Sequence, residues 1–368
     1  MSLVSSFRGR HDREILWIFA VIFLVTLACS PQKPADIVVL EEQSDTLATA
    51  NLGKLRLSEY GFFKIPLKNL DPVENVLPYE LNSALFSDYA FKKRFVFLPK
   101  GKSIGFNPDD TLSFPNGSIV IKNFYYPADF QKPEENWRII ETRLLIRENS
   151  NWKVLTYLWN KDQTDALLEV AGAQLPVSWK DKSGTARSIT YTVPNLNQCK
   201  SCHMRSNKLS LIGPVARQLN KEVGGENQLV HWQELGVLSG MPDIKSVSRL
   251  ASYESTTETL DARARGWLEV NCAHCHRVDG PARTSGLHLL ASIKDRFHLG
   301  VGKPPVAAGK GSGGLKYDIV PGKAEQSILY YRIASTDPGV MMPELGRSVI
   351  HEEGVQLIKE WINEMKIQ

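Results

Sequence analysis

The stretch NQCKSCHMRSN, Asn197–Asn207, sets Cys199 and Cys202 three apart with His203 directly behind them. It divides the 368-residue chain, with short strand-like runs before it and helical patterns after it. The same signature returns as Cys272-Ala-His-Cys275-His276. Two thiols one helical turn apart suit the two vinyl groups of a haem, and the following imidazole is placed to meet the iron. A zinc ribbon would bring its CxxC pairs within about 15–20 residues and has no use for a histidine after each. A dithiol oxidoreductase carries one pair in a βαβ setting, and no such pattern surrounds either pair here. The spacing therefore predicts two covalently bound c-type haems. Cys199 and Cys202 hold the first, with His203 on its iron; Cys272 and Cys275 hold the second, with His276.

Each iron then has a sixth position to fill. DPGVMMPELGR, Asp337–Arg347, offers Met342 to the second haem, because the Met342-Pro343 step can hold a thioether rigidly; Met341 is its competitor. A thioether opposite histidine favours ferrous iron and raises the potential, as an electron carrier needs. For the first haem, Met241 in SGMPD repeats the Met-Pro step, and His231 lies on an expected helix. If neither binds, that iron is open to small ligands.

From Arg94 to Pro194 the chain reads KRFVFLP, GSIVIKNFYY, WRIIETRLLIRE, WKVLTYLW and RSITYTV, separated by turn clusters such as Pro115-Asn116-Gly117. These runs are rich in Val, Ile, Tyr and Trp and predict an antiparallel β-sandwich-like or half-barrel domain. After Thr256 the patterns turn helical. Leu260, Ala264, Trp267 and Leu268 lead into the second CxxCH, and Val355, Ile358, Trp361, Ile362 and Met365 share one face near the C-terminus. The expected architecture is multidomain α+β, with a β-rich N-terminal domain and a mainly helical haem region.

Arg8, Arg10 and Arg13 precede the apolar run Ile15–Ala28, which has signal-peptide length and falls short of the ~20 residues of a spanning helix. Cys29 closes VTLACS, similar to a lipoprotein processing box, with Thr26 where leucine is usual. The expectation is an exported protein, lipid-anchored through Cys29 to a bacterial membrane and facing the periplasm. Losing three arginines, Asp12 and Glu14 with residues 1–28 lowers the net charge from +4 to +3. Four haem propionates would take it to about −1, so charge makes no case for nucleic acid. The expected segments are a signal peptide (1–28), a tether (29–54), a β-rich domain (55–195), a first haem region (196–250) and a C-terminal haem domain (255–368).

A helix into CxxCH, a methionine loop and a closing helix with Trp361 resemble a class I cytochrome c domain over about 256–368. That resemblance implies that the first and last helices cross near Gly266 and Trp361. Gly213-Pro214 is similar to the Gly-Pro loop of cytochromes c, which implies that the proline carbonyl accepts the His203 N–H. In the β-region, FPNGSIVIKNF resembles cytochrome P460, whose haem-linked lysine would correspond to Lys122; a strand-surface lysine is the other reading. Over its length the chain is similar to a family of exported di-haem c-type cytochromes. The implied function is single-electron transfer between redox protein partners. The alternative is a haem redox enzyme, peroxidase-like or P460-like, with an open first haem fed by the His/Met haem.

Overall fold

Alternation of β-branched and aromatic residues with a period of two turns much of residues 76–193 into strands. These are β1 (Val76–Tyr79), β2 (Phe91–Phe97), β3 (Ile104–Gly105), β4 (Ile119–Pro127), β5 (Trp137–Glu148), β6 (Asn151–Trp159), β7 (Ala166–Glu169), β8 (Ala173–Lys180) and β9 (Ala186–Val193). The computed structural model describes residues 52–366; the signal segment, Cys29 and nearly all of the tether lie outside them. Six strands form one antiparallel sheet in the order β1-β2-β4-β5-β6-β7. β8 and β9 make a separate hairpin, and β3 pairs in parallel with Leu238–Ser239.

Strand β4 shows how both faces are used. Ile119, Ile121 and Tyr125 point into a core closed by Leu57, Phe62, Phe63, Leu67 and Leu70 from the preceding segment. On the other face, Phe124 and Tyr126 meet Val177, Trp179, Tyr191 and Val193 of the hairpin. Val120 on that face meets a third cluster containing Cys199, Leu219, Leu229 and Trp232. The sandwich expectation is thus corrected. A hairpin and helices, rather than a second sheet of similar size, cover the second face.

Six α-helices follow among the described residues: α1 (Leu196–His203), α2 (Ala216–Leu219), α3 (Gln228–Glu234), α4 (Leu260–Asn271), α5 (Ile328–Ile333) and α6 (Glu352–Glu364). Thr259 caps α4, its Oγ accepting from the Ala262 N–H at 3.2 Å. Ala264, Trp267 and Leu268 of α4 share a core with Leu357, Ile358, Trp361 and Ile362 of α6. The close approach between the two helices is at Gly354, where a Cβ would collide with the Trp267 indole. Gly266 instead faces the Ala251 carbonyl, and the Trp361 indole donates to Asp261 Oδ1 at 2.8 Å. The crossing point expected at Gly266 and Trp361 is therefore displaced to Trp267 and Gly354.

The strand and helix layers are joined through the β1–β2 connection. Asp88 accepts from the Ser348 and Val349 amides at 2.6 and 3.0 Å, and the Phe86 amide donates to Asn271 Oδ1 at 2.9 Å. Among the described residues no helix is long and apolar enough to cross a membrane.

Candidate functional site

The first CxxCH occupies α1, a helix started by its own sequence. Asn195 Oδ1 accepts from the Gln198 amide and Gln198 Oε1 accepts from the Asn195 amide, each at 3.0 Å, which makes a reciprocal capping box. Cys199 and Cys202, at i and i+3, lie on one face of this helix, the first thiol buried and the second half-buried. His203 ends the helix with Nδ1 2.8 Å from the Ser210 carbonyl. A carbonyl only accepts, so the proton is on Nδ1 and Nε2 keeps its lone pair. Burial holds the His203 pKa down at about 4, leaving the ring neutral and competent to bind a metal. The expected acceptor, Pro214, is otherwise engaged: its carbonyl takes the Leu112 amide at 3.0 Å.

At the second motif Cys272 caps α4, its amide still bonded to Leu268 O at 2.9 Å, and the His276 amide returns to Cys272 O at 2.9 Å. His276 Nδ1 lies 3.0 Å from Ser285 Oγ, and that hydroxyl gives its own proton to Ala282 O at 2.7 Å. Ser285 must therefore accept from Nδ1–H, and Nε2 again carries the lone pair. Burial, then the neighbouring His274, keeps the His276 pKa at about 4. Burial alone pushes the Cys272 thiol up to about 12.

The two motifs meet. Ligand atoms of Cys202, His274 and Cys275 all lie within 4.8 Å of one another, and Cys275 Sγ is 4.0 Å from Ser201 O. The Cys275 thiol, and then His274, pull the Cys202 pKa down, while Cys275 is pushed up in return. Arg205 holds this junction together. Its guanidinium grips Asp110 at 2.7 and 2.8 Å, and Asp279, just beyond the second motif, at 2.6 and 3.1 Å.

A cavity of about 460 Å³ opens beside the first motif, within the ~300–1,000 Å³ range of cofactor pockets. Cys199, Cys202 and His203 line it together with the sheet face and the Met342–Ser348 loop. The donor set (two thiols and a neutral imidazole) and this adjoining space fit a covalently held haem. Met342 lines the cavity, its amide bonded to Arg332 O at 3.1 Å, whereas His276 does not line it. The loop also reaches the second motif: the charge of Arg347 is felt at Cys272 and that of Glu344 at Cys275.

The remaining candidates lie elsewhere. Met241 is 8% exposed in the cluster with Leu238, Trp232 and Val247, and is not among the residues lining the cavity. His231 sits on the surface, paired with Glu226 at 2.9 Å. Lys122 does line the cavity. Sequence reasoning did not single out Arg94, Arg143 and His351, which line it too. His351 Nδ1 accepts from the Trp267 indole at 2.9 Å, so its proton sits on Nε2. No family model, curated protein or solved structure matches the chain.

Proposed function

We propose that this protein is a di-haem c-type cytochrome that passes single electrons between redox protein partners. The observation carrying this reading is the junction of the two CxxCH motifs, with Cys202, His274 and Cys275 within 4.8 Å. Thioethers formed at Cys202 and Cys275 would bring one edge of each haem to that junction. Haem iron, when bound, supplies one-electron chemistry at a potential set by its axial ligands. The chain's contribution is positional. Ser210 and Ser285 fix the tautomer and ring plane of His203 and His276, and Arg205 keeps the two motifs together. The helical C-terminal region is proposed as a class I cytochrome c domain in which Met342 completes the second haem.

The cavity favours a second reading, a redox enzyme whose first haem takes a small ligand. Neither Met241 nor His231 lines that space; Met342 does, so this reading requires its thioether to serve the second haem. Carbon monoxide added to the reduced protein distinguishes the two: binding at the first haem supports the enzyme, and no binding supports the relay.

Acid–acetone extraction tests the shared premise. Both haems should stay on the chain, and Cys272→Ala with Cys275→Ala should remove one. Release of all haem, with a bound soft metal ion detected at Cys202, His274 and Cys275, would replace the haem reading with a thiolate–imidazole metal site. The proposed setting is the periplasmic side of a bacterial membrane, anchored by a lipid on Cys29. Palmitate labelling that persists in Cys29→Ser would refute that anchor.

A further inference from the structure

The face of the sheet that lines the cavity carries an arrangement that a sheet ordinarily avoids. Arg94 on β2 stands directly opposite Lys122 on β4, and Lys122 directly opposite Arg143 on β5. Like charges in register on adjacent strands repel, and burial strengthens the repulsion. All three side chains line the cavity with Cys199, Cys202 and His203.

Only one of the three is in a direct ion pair. Arg143 grips Glu141 through Nε at 2.8 Å and Nη2 at 2.5 Å, and Glu141 also accepts from the Tyr191 hydroxyl at 2.6 Å. Arg94 is 9% exposed, and among the described residues its side chain makes neither an ion pair nor a hydrogen bond; Glu80, whose charge reaches it, is paired with Lys221. Lys122 makes no ion pair either; Glu141 is near enough to favour its charge but is itself gripped by Arg143, and the ammonium lies 4.7 Å from the centre of the Phe124 ring. Two other cavity charges, Asp88 and Arg347, are used up on the Ser348–Val349 amides and on the Ser335 and Met342 carbonyls. Glu344 is exposed to solvent at the cavity's edge. Burial, followed by the neighbouring cations, depresses the Lys122 pKa well below its ordinary value, as expected of a cation lacking its anion.

We propose that this row is a carboxylate clamp in which Arg94 and Lys122 take the two propionates of the haem held by Cys199, Cys202 and His203. The inference rests on the haem reading above and adds the residues that seat the acidic edge of the first haem. Two basic side chains without an ion-pair partner match two carboxylates. A free oxyanion offers the same oxygens, but it would leave the row bare whenever it departed. A tethered anion compensates the row permanently.

The test uses the full-length holoprotein with Arg94→Gln, Arg94→Lys and Lys122→Gln. Lys93→Gln is the control, because Lys93 points to the opposite face, over Trp137 at 4.5 Å. The propionate bending band in the resonance Raman spectrum should shift in both Gln variants, shift less in Arg94→Lys and stay in place in the control. The midpoint potential of the first haem alone should fall in the Gln variants, since removing positive charge favours ferric iron. Unmoved propionate bands in both Gln variants would overturn the clamp. So would a wild-type Soret response to added nitrite or phosphate that the variants lose, because the row would then serve a free anion. Mass analysis of the Cys199–Cys202 peptide separates the two levels: a wild-type peptide without haem overturns the haem reading itself.

Discussion

Replacing Arg205 by alanine should loosen the junction between the two motifs, and the size of the effect follows from burial. The Arg205 side chain is 15% exposed, against 36% for Asp110 and 28% for Asp279. Removing one partner of a fully buried ion pair costs about 3–5 kcal/mol, and an exposed pair is worth about 0–1 kcal/mol. The half-buried geometry here, with one fork gripping two carboxylates, falls between them at about 2 kcal/mol. At roughly 2 °C per kcal/mol for a chain of this size, the unfolding midpoint should drop by about 4 °C. Arg205→Lys keeps the charge but loses the fork and should lose about half as much. The exposed Lys132–Glu135 pair, 3.8 Å apart, supplies the control, and Lys132→Ala should shift the midpoint by under about 1 °C. Acid offers a second check. Burial works against ionisation of both aspartates, but the Arg205 hydrogen bonds overrule it and hold both pKa values below normal. Their stabilisation is therefore present above the unfolded value near 3.9 and is lost as pH falls below it. The gap between wild type and Arg205→Ala should close in that same range. A midpoint shift no larger than that of the Lys132 control, at neutral pH, would refute the role of Arg205 in holding the junction.

Burial holds the His351 pKa at about 4, below an unfolded value near 6.5. Stability should therefore be lost as pH falls from about 6.5 to about 4, by at most about 3 kcal/mol, and His351→Gln should flatten that slope in unfolding curves. Gly354→Ala drives a methyl into the Trp267 indole and should cost about 1–3 kcal/mol by the same assay; an unchanged midpoint would mean that α4 and α6 can separate freely. Met342→Ala should abolish the weak near-infrared sulfur-to-iron band of the oxidised protein and lower one haem potential. The band should survive in Cys199→Ala with Cys202→Ala if Met342 serves the second haem, and disappear there if it serves the first.

The strands legible in the sequence were those whose alternation is uninterrupted: KRFVFLP, GSIVIKNFYY, WRIIETRLLIRE, WKVLTYLW and RSITYTV all lie within or around β2, β4, β5, β6 and β9. Those missed have two causes. β1 and β8 contain Pro78 and Pro176, which argue against an interior strand, and the structure puts β1 at a sheet edge and β8 in a two-stranded hairpin. β7 is a four-residue edge strand, too short for periodicity to register. The site divides in the same way. Two thiols and the next imidazole are neighbours along the chain, so their chemistry is written locally. Met241 drew notice for its Met-Pro step, yet a thioether packs as readily as it ligates, and this one belongs to a core.

Arg94, Lys122 and Arg143 mark the boundary of what the sequence can tell. Taken singly, each reads as a solvated strand residue. Their meaning comes from the register of three strands, which places them side by side, and a slip of one residue would have turned any of them to the opposite face. The register itself is fixed by apolar neighbours: Phe95 and Ile121 must reach one core while Val96 and Val120 reach another. Hydrophobic alternation thus forces the three cations into a line, and the repulsion within that line is what points to a missing anion.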